Sequence, residues 1–248
     1  MNEIETDSLL SCPIVCGEYM RATGFFYSTG ETVYLITARH NCIPTNGQKL
    51  KTGDVPVNFQ SADFLPEIDI YLRTPNGFDT ERVDITEQDG VIQMSEIDVL
   101  CVPINFAPDE YGYRVWKKSD IVSPQDAAGS LNSIGFNGKG FPDSDGNYDI
   151  KTYCDQLGNP VSLPLVNIMD GEADISRFGL LPHAIDEDFV GNNGDYNGLS
   201  GAPLIGSGLV GVHSQNRRPT AAALEQVGAD EFMFIAYSRA DLIPKLLD

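Results

Sequence analysis

Asn197-Gly198-Leu199-Ser200-Gly201-Ala202-Pro203-Leu204 sets a serine between glycines just before an apolar run, Leu204 to Val212. A serine hydroxyl is a weak nucleophile. It becomes useful when a base takes its proton and backbone N–H groups wait for the negative oxygen that forms on attack. Glycines on either side allow the sharp bend that brings those N–H groups close to a substrate. Read alone, the segment is equally an ordinary glycine turn leading into a strand. Its chemical meaning depends on what the rest of the chain can bring to it.

The rest of the chain reads as short strands. Gly24 to Tyr27 and Val33 to Thr37 are apolar, aromatic and β-branched runs separated by Ser28-Thr29-Gly30-Glu31, a hairpin signal. Val55 to Phe59, Ile68 to Leu72 and Val91 to Met94 follow, and Val99 to Ile104 is apolar almost throughout, as a buried strand is. A link from Asn105 to Gln125 holds the single tryptophan, Trp116. Beyond it come Ser130 to Phe136, Tyr148 to Tyr153, Leu163 to Ile168, Ala202 to Ile205, Leu209 to His213 and Phe232 to Tyr237. Arg239 to Leu247 reads as one short helix, limited by Pro244. Many short strands, 24 glycines and 15 prolines, without βαβ alternation, indicate an all-β sandwich or a pair of barrels.

Length and composition bound the function. The 248 residues, 42% hydrophobic, suffice for one large β domain or two packed subdomains. A net charge of −20 repels phosphate backbones and anionic lipids, so neither nucleic acid nor a membrane surface is an expected partner. No run approaches the roughly 18 apolar residues that span a bilayer. The five cysteines are an odd number, and the acidic N-terminus lacks the pattern of a secretory signal. Both features lead to the expectation of reduced thiols and a cytoplasmic setting. Cys12 and Cys16 find no second Cys/His pair at metal-ligand spacing, and neither a metal nor another cofactor is expected.

Two residues upstream give Ser200 its context. His40 closes the run Val33-Tyr34-Leu35-Ile36-Thr37-Ala38-Arg39-His40 and opens a loop. Asp98 stands at the entry of the buried strand Val99 to Ile104, where a carboxylate is costly unless paired. Taken singly, a structural histidine and a strand-entry cap explain them. Taken together, the order is His, Asp, Ser, with 58 residues from the first to the second and 102 from the second to the third. An α/β-hydrolase order would need His213 as its base, only 13 residues after Ser200, which leaves no room for the acid between them.

In that order, and in four local motifs, the chain resembles the trypsin-like (chymotrypsin-fold) serine peptidase family. Ala22-Thr23-Gly24-Phe25-Phe26 resembles the strand ahead of the family's histidine block. Leu35-Ile36-Thr37-Ala38-Arg39-His40 resembles Leu-Thr-Ala-Ala-His, with Arg39 in place of the second alanine. Ile97-Asp98-Val99-Leu100 resembles Asp-Ile-Ala-Leu, and Gly198-Leu199-Ser200-Gly201-Ala202-Pro203-Leu204 resembles Gly-Asp-Ser-Gly-Gly-Pro-Leu. The resemblance implies two six-stranded antiparallel β-barrels within one peptidase domain, roughly residues 15–110 and 125–235, with a C-terminal helix at 239–247. It implies that Ser200 attacks a scissile carbonyl, that His40 moves its proton, and that Asp98 orients His40. Backbone N–H groups of Gly198 and Ser200 would form the oxyanion hole.

The departures from the pattern are informative. Leu199 replaces the acid that pairs with a newly cut N-terminus in many secreted relatives, so that route of activation is closed and the oxyanion loop must be ordered otherwise, by a partner or ligand for example. Ala202 replaces a glycine. No cysteine directly follows His40, so the disulfide usual at that place is missing. Gly208-Leu209-Val210-Gly211-Val212 resembles the strand that lines the specificity pocket, and Gly211-Val212-His213 resembles the Gly-Ile-His subset that includes glutamyl endopeptidases and some viral polyprotein peptidases. There the histidine binds a Glu or Gln side chain. Asp195, five residues before Ser200, argues the other way, because a carboxylate at the pocket floor favours Arg or Lys. The expected substrate-binding residues are thus His213, Asp195 and Gly211, with a lean toward a polar or acidic substrate side chain. His213 packing on the sheet remains the plainer alternative.

The expectation is a serine endopeptidase acting on protein or peptide substrates through an acyl-enzyme, controlled by a regulatory partner or by strict specificity. Three rivals stand beside it: an inactive protease-fold binding module, an esterase on the same site, and a structural β-sandwich with coincidental motifs.

Overall fold

The computed structural model describes residues 9–16, 20–42, 67–85, 89–94, 97–127, 130–136, 161–167, 176–180, 198–217 and 234–247. Eight strands make the first sheet: β1 (Cys12–Cys16), β2 (Met20–Ser28), β3 (Val33–Thr37), β4 (Glu67–Thr74), β5 (Gly77–Asp84), β6 (Ile92–Met94), β7 (Val99–Ile104) and β8 (Val115–Lys117). Its antiparallel path runs β5-β4-β1-β2-β3-β7-β6, and β8 adds in parallel to β2. The remaining strands are β9 (Ser130–Gly135), β10 (Val161–Asn167), β11 (Ser176–Leu180), β12 (Pro203–Ile205), β13 (Leu209–Arg217) and β14 (Phe234–Arg239), and they close into a barrel in the order β10-β11-β14-β13-β12-β9. The chain ends in a 3-10 turn, Ala240–Leu242, and one short helix, α1 (Ile243–Leu247).

This is the all-β, double-barrel architecture that the motifs imply. The second barrel has the expected six strands. The first sheet departs from that number: among the described residues it has eight strands on an open path. Two of the strands that the sequence reading lacks, β5 and β8, have weak patterns. β5 (GFDTERVD) is largely polar and half-exposed, and among the described residues it is an edge strand paired to β4 alone, in register Glu67↔Asp84 through Thr74↔Gly77. β8 lies in the segment that reads as a link, and β1 spans the Cys12 to Cys16 pair. The strand expected at Tyr148 to Tyr153 and the one at Val55 to Phe59 lie outside the described residues.

The period of two sorts side chains between two cores. On β2, Phe26 points into the first sheet with Leu35, Leu100 and Val102 from its neighbours. Phe25 and Tyr27 point the other way and meet Ile36, Val99, Cys101, Trp116, Leu209, Val212 and Ile243. This second cluster joins the first sheet to β13 and the C-terminal helix. The barrel interior is a third cluster: Ala127, Leu131, Leu163, Leu199, Leu204, Val210, Ile235 and Tyr237. Trp116 is buried, with the Arg114 guanidinium 4.1 Å above its ring. Four described cysteines, Cys12, Cys16, Cys42 and Cys101, are buried free thiols, and the Cys16 and Cys42 sulfurs lie 3.4 Å apart.

One contact between the two sheets tolerates no side chain. Gly201 has φ +91°, and a Cβ there would lie 2.1 Å from the Thr23 carbonyl oxygen and 2.3 Å from the Thr37 hydroxyl. Gly201→Ala should therefore destabilise the protein by about 2–5 kcal/mol, combining left-handed backbone strain with overpacking. Urea unfolding of the variant beside the parent checks this; an unchanged midpoint would mean that the two sheets are not in such close contact.

Candidate active site

β3 ends at Thr37, and Ala38 leads into a 3-10 turn, Arg39–Cys42, that carries His40. Asp98 immediately precedes β7, and β7 pairs with β3 in register Thr37↔Leu100. Pairing of the two strands thus brings together residues 58 positions apart. The Asp98 carboxylate takes hydrogen bonds on both oxygens. Oδ1 accepts the His40 backbone N–H at 2.9 Å, and Oδ2 accepts from His40 Nδ1 at 2.6 Å. Oδ2 also accepts a very short hydrogen bond from the Ser214 hydroxyl.

The side chains of His40 and Asp98 are 24% and 10% exposed, so this is a half-buried pair with real desolvation cost. Burial alone would lower the His40 pKa. The charge of Asp98 and its hydrogen bond oppose this and hold the imidazole above its ordinary value. Burial would likewise raise Asp98. The His40 charge and the hydrogen bonds from His40 and Ser214 outweigh it and hold the carboxyl below the usual range. With Asp98 ionised and accepting at Nδ1, the neutral imidazole carries its proton on Nδ1 and presents a lone pair at Nε2.

Ser200 reaches the same place from the second barrel. Its hydroxyl donates to the Ser214 carbonyl at 3.1 Å, while Ser214 bonds Asp98 through its side chain. Among the described residues no hydrogen bond joins Ser200 to His40, and Nε2 of His40 makes none. Ser214 is a site residue that the sequence does not announce. It sits at an irregularity in β13, where pairing with β14 steps from His213↔Tyr237 to Gln215↔Ala236. The bulge leaves Ser214 out of the ladder and turns it toward the histidine and aspartate. A bulge is not legible in the alternation of GVHSQ, and only the fold exposes the role.

The turn around Ser200 is tied down from within. Ala202 N–H bonds the Leu199 carbonyl at 2.9 Å, and Gly201 N–H bonds the His213 carbonyl at 2.7 Å. Leu199 is buried in the barrel core, 1% exposed, so its apolar character has a packing cause. Gly198 has φ +94°, a conformation open chiefly to glycine. Neither the Gly198 nor the Ser200 N–H makes a hydrogen bond among the described residues. In a trans peptide the N–H points opposite the preceding carbonyl. The Leu199 carbonyl is engaged within the turn, so the Ser200 N–H faces away from it.

The residues expected in the specificity pocket fare differently. His213 is fully buried, with Nδ1 2.8 Å from the Ser133 hydroxyl of β9. Gly211 lies against β14, where a Cβ would meet the Tyr237 ring at 2.4 Å and the Ser238 carbonyl at 2.7 Å. Packing thus accounts for that glycine without a substrate. Asp195 lies outside the described residues. Among the described residues no three His, Cys, Asp or Glu side chains gather where they could hold a metal ion, and no helix is long and apolar enough to cross a membrane.

No family model matches the chain, and no curated protein matches it. Solved structures do. The protease Anisep from Arthrobacter nicotinovorans superposes with a TM-score of 0.52 at 12% identity, covering 98% of this chain and 95% of that one. The thermostable serine protease AL20 from an extremophilic microorganism gives 0.50 at 12% identity, covering 98% and 97%. An HtrA-type protease, AlgW, with a tripeptide gives 0.45 at 12% identity, covering 99% of this chain and 62% of that one, so this chain spans less than two thirds of its length. At such identity the first two likenesses establish the fold: that of the trypsin-like serine proteases.

The ion pair makes a direct prediction. The His40 ring protons should titrate in NMR with a midpoint above 6.5, the ordinary value, and Asp98→Asn should bring the midpoint down. A wild-type midpoint at or below 6.5 would show that burial outweighs Asp98.

Proposed function

We propose that the chain is a serine endopeptidase with His40, Asp98 and Ser200 as its triad. The observation that carries this reading is the 2.6 Å hydrogen bond from His40 Nδ1 to a carboxylate that also holds Ser214, whose carbonyl in turn holds the Ser200 hydroxyl. For the reaction the Ser200 hydroxyl would have to leave that carbonyl for Nε2 of His40. Catalytic hydrogen bonds are often loose in a free enzyme and tighten when substrate is bound.

The chemistry then runs in two steps. Ser200 Oγ bonds to the scissile carbonyl carbon, its proton passes to His40 Nε2, and the oxyanion takes hydrogen bonds from the Gly198 and Ser200 N–H groups. The C–N bond breaks, His40 protonates the leaving amine, and an acyl-enzyme remains. Water, deprotonated by His40, releases the acid product and restores the hydroxyl. Asp98 stays ionised throughout and stabilises the imidazolium. The substrate is a protein or peptide, and no cofactor enters either step.

His213 supports selection of a polar or acidic side chain before the scissile bond. The buried free thiols support a reducing, intracellular setting. Control then rests on strict sequence specificity or on a regulatory partner. One observation favours the rival reading, a binding module on the same fold: the Ser200 hydroxyl is engaged by Ser214 and not by His40.

A peptide-library digest of the wild type beside Ser200→Ala separates the two. Cleavage after Glu or Gln, lost by about 10⁶-fold in the variant, is the expected result. Cleavage after Arg or Lys would assign the pocket to Asp195, and no cleavage with no fluorophosphonate labelling of Ser200 would leave the binding module. Because His40 must be neutral to accept a proton and its pKa is raised, kcat/KM should fall as pH drops through a midpoint above 6.5 and level off at higher pH. Asp98→Asn should cost about 10⁴-fold in kcat.

A further inference from the structure

The Thr23 hydroxyl lies 175 residues from Gly198 in sequence and donates to its carbonyl at 2.7 Å. The same oxygen accepts the Phe136 N–H at 2.9 Å. Both partners are unambiguous: a carbonyl only accepts and an N–H only donates. The direction of the single hydroxyl proton is therefore settled. Thr23 is fully buried, and all three segments, β2, the end of β9 and the Ser200 turn, meet at its Oγ1. Room for this meeting exists because residue 135 is glycine, where a Cβ would lie 2.9 Å from Thr23 Oγ1.

Resting on the reading of Ser200 as the nucleophile, we infer that Thr23 is the positioning residue of the oxyanion hole. Gly198 supplies one of the two proposed donors, and a glycine at φ +94° rotates with little steric restraint. Fixing its carbonyl fixes the peptide plane on its C-terminal side. The Gly198 N–H is then aimed from an anchored plane, through the φ and ψ of Gly198 alone. The second donor, on Ser200, is set by other bonds: the Leu199 carbonyl of the same peptide accepts from Ala202 N–H at 2.9 Å, and the Ser200 carbonyl accepts from Thr23 N–H at 3.1 Å and from Asn41 Nδ2 at 2.9 Å. Asn41 also bonds the Thr37 hydroxyl at 3.0 Å, which bonds the Thr23 carbonyl at 2.8 Å. Thr23 thus grips the turn twice, and its side chain serves the Gly198 half alone. This supplies the internal order that Leu199, in place of an acid, cannot provide through an N-terminal ion pair.

The test compares Thr23→Val, which keeps shape and removes the hydroxyl, with Thr23→Ser, which keeps the hydroxyl. The readings are the second-order rate of Ser200 labelling by a fluorophosphonate, kcat and KM for a 4-nitrophenyl ester, and the His40 titration midpoint. Expected are a loss of about tenfold or more in labelling rate and kcat for Thr23→Val, less than the ~10²–10³ for deleting a donor outright. KM and the His40 midpoint should stay at the wild-type values, and Thr23→Ser should recover most of the rate. Should Thr23→Val not fold, Thr23→Ala takes its place with the same readings. Equal labelling of variant and wild type, or a Thr23→Ser protein as slow as Thr23→Val, would overturn the positioning role while leaving Ser200 as nucleophile. A wild type that the probe does not label overturns the nucleophile reading and this inference with it.

Discussion

The main-chain carbonyl of Ser200 is gripped from the opposite sheet by the Thr23 N–H and the Asn41 side chain, and everything else at the crevice is built around that grip. It works because residue 201 has no side chain. Gly201 lets the second barrel's turn press against Thr23 and Thr37, and the same closeness lets the Thr23 hydroxyl reach Gly198. The joint is polar on its inner side and apolar just beyond, where Phe25, Tyr27 and Ile36 meet Leu209 and Val212. The apolar area supplies the attraction between the halves, and the hydrogen bonds choose one register for it.

Electrostatics follow from that register. A carboxylate at the entry of a buried strand is unfavourable unless its lone pairs are used. Asp98 has three donors, two from His40 and one from Ser214, and they come from both halves of the molecule. Both halves therefore help to hold its carboxyl below the usual range against the cost of burial, His40 more than Ser214. The imidazole is a better base for the same reason, since the charge that raises its pKa is held in place from behind. Leu199 follows the same logic at the turn. Its side chain fills the barrel core, and the neighbouring backbone is presented to the crevice.

Much of this is legible in the chain. Val33–Thr37 and Val99–Ile104 are strands to the residue in sequence and structure alike, because β-branched and apolar runs bounded by polar turns rarely fold as anything else. The pairing of His40 with Asp98 follows from order and motif. What the sequence hides depends on contacts between distant segments. β5 and β8 are polar or short and become strands only by pairing with neighbours already in place. Ser214 acquires its role from a bulge, and Thr23 and Asn41 from a joint between sheets; Thr23 stands in a recognisable motif, but the motif does not show what its hydroxyl holds. Gly211 has the motif of a pocket wall, whereas the Tyr237 ring packed over it explains the missing side chain.

The most direct measurement is a crystal structure of the protein after reaction with a small fluorophosphonate. The expected adduct has phosphorus bonded to Ser200 Oγ, and its phosphoryl oxygen lies about 3 Å from the N–H groups of both Gly198 and Ser200. In it Nε2 of His40 faces the modified oxygen. An unmodified Ser200, or an adduct whose phosphoryl oxygen points away from those two N–H groups, would contradict the assembly of a reactive serine at this joint.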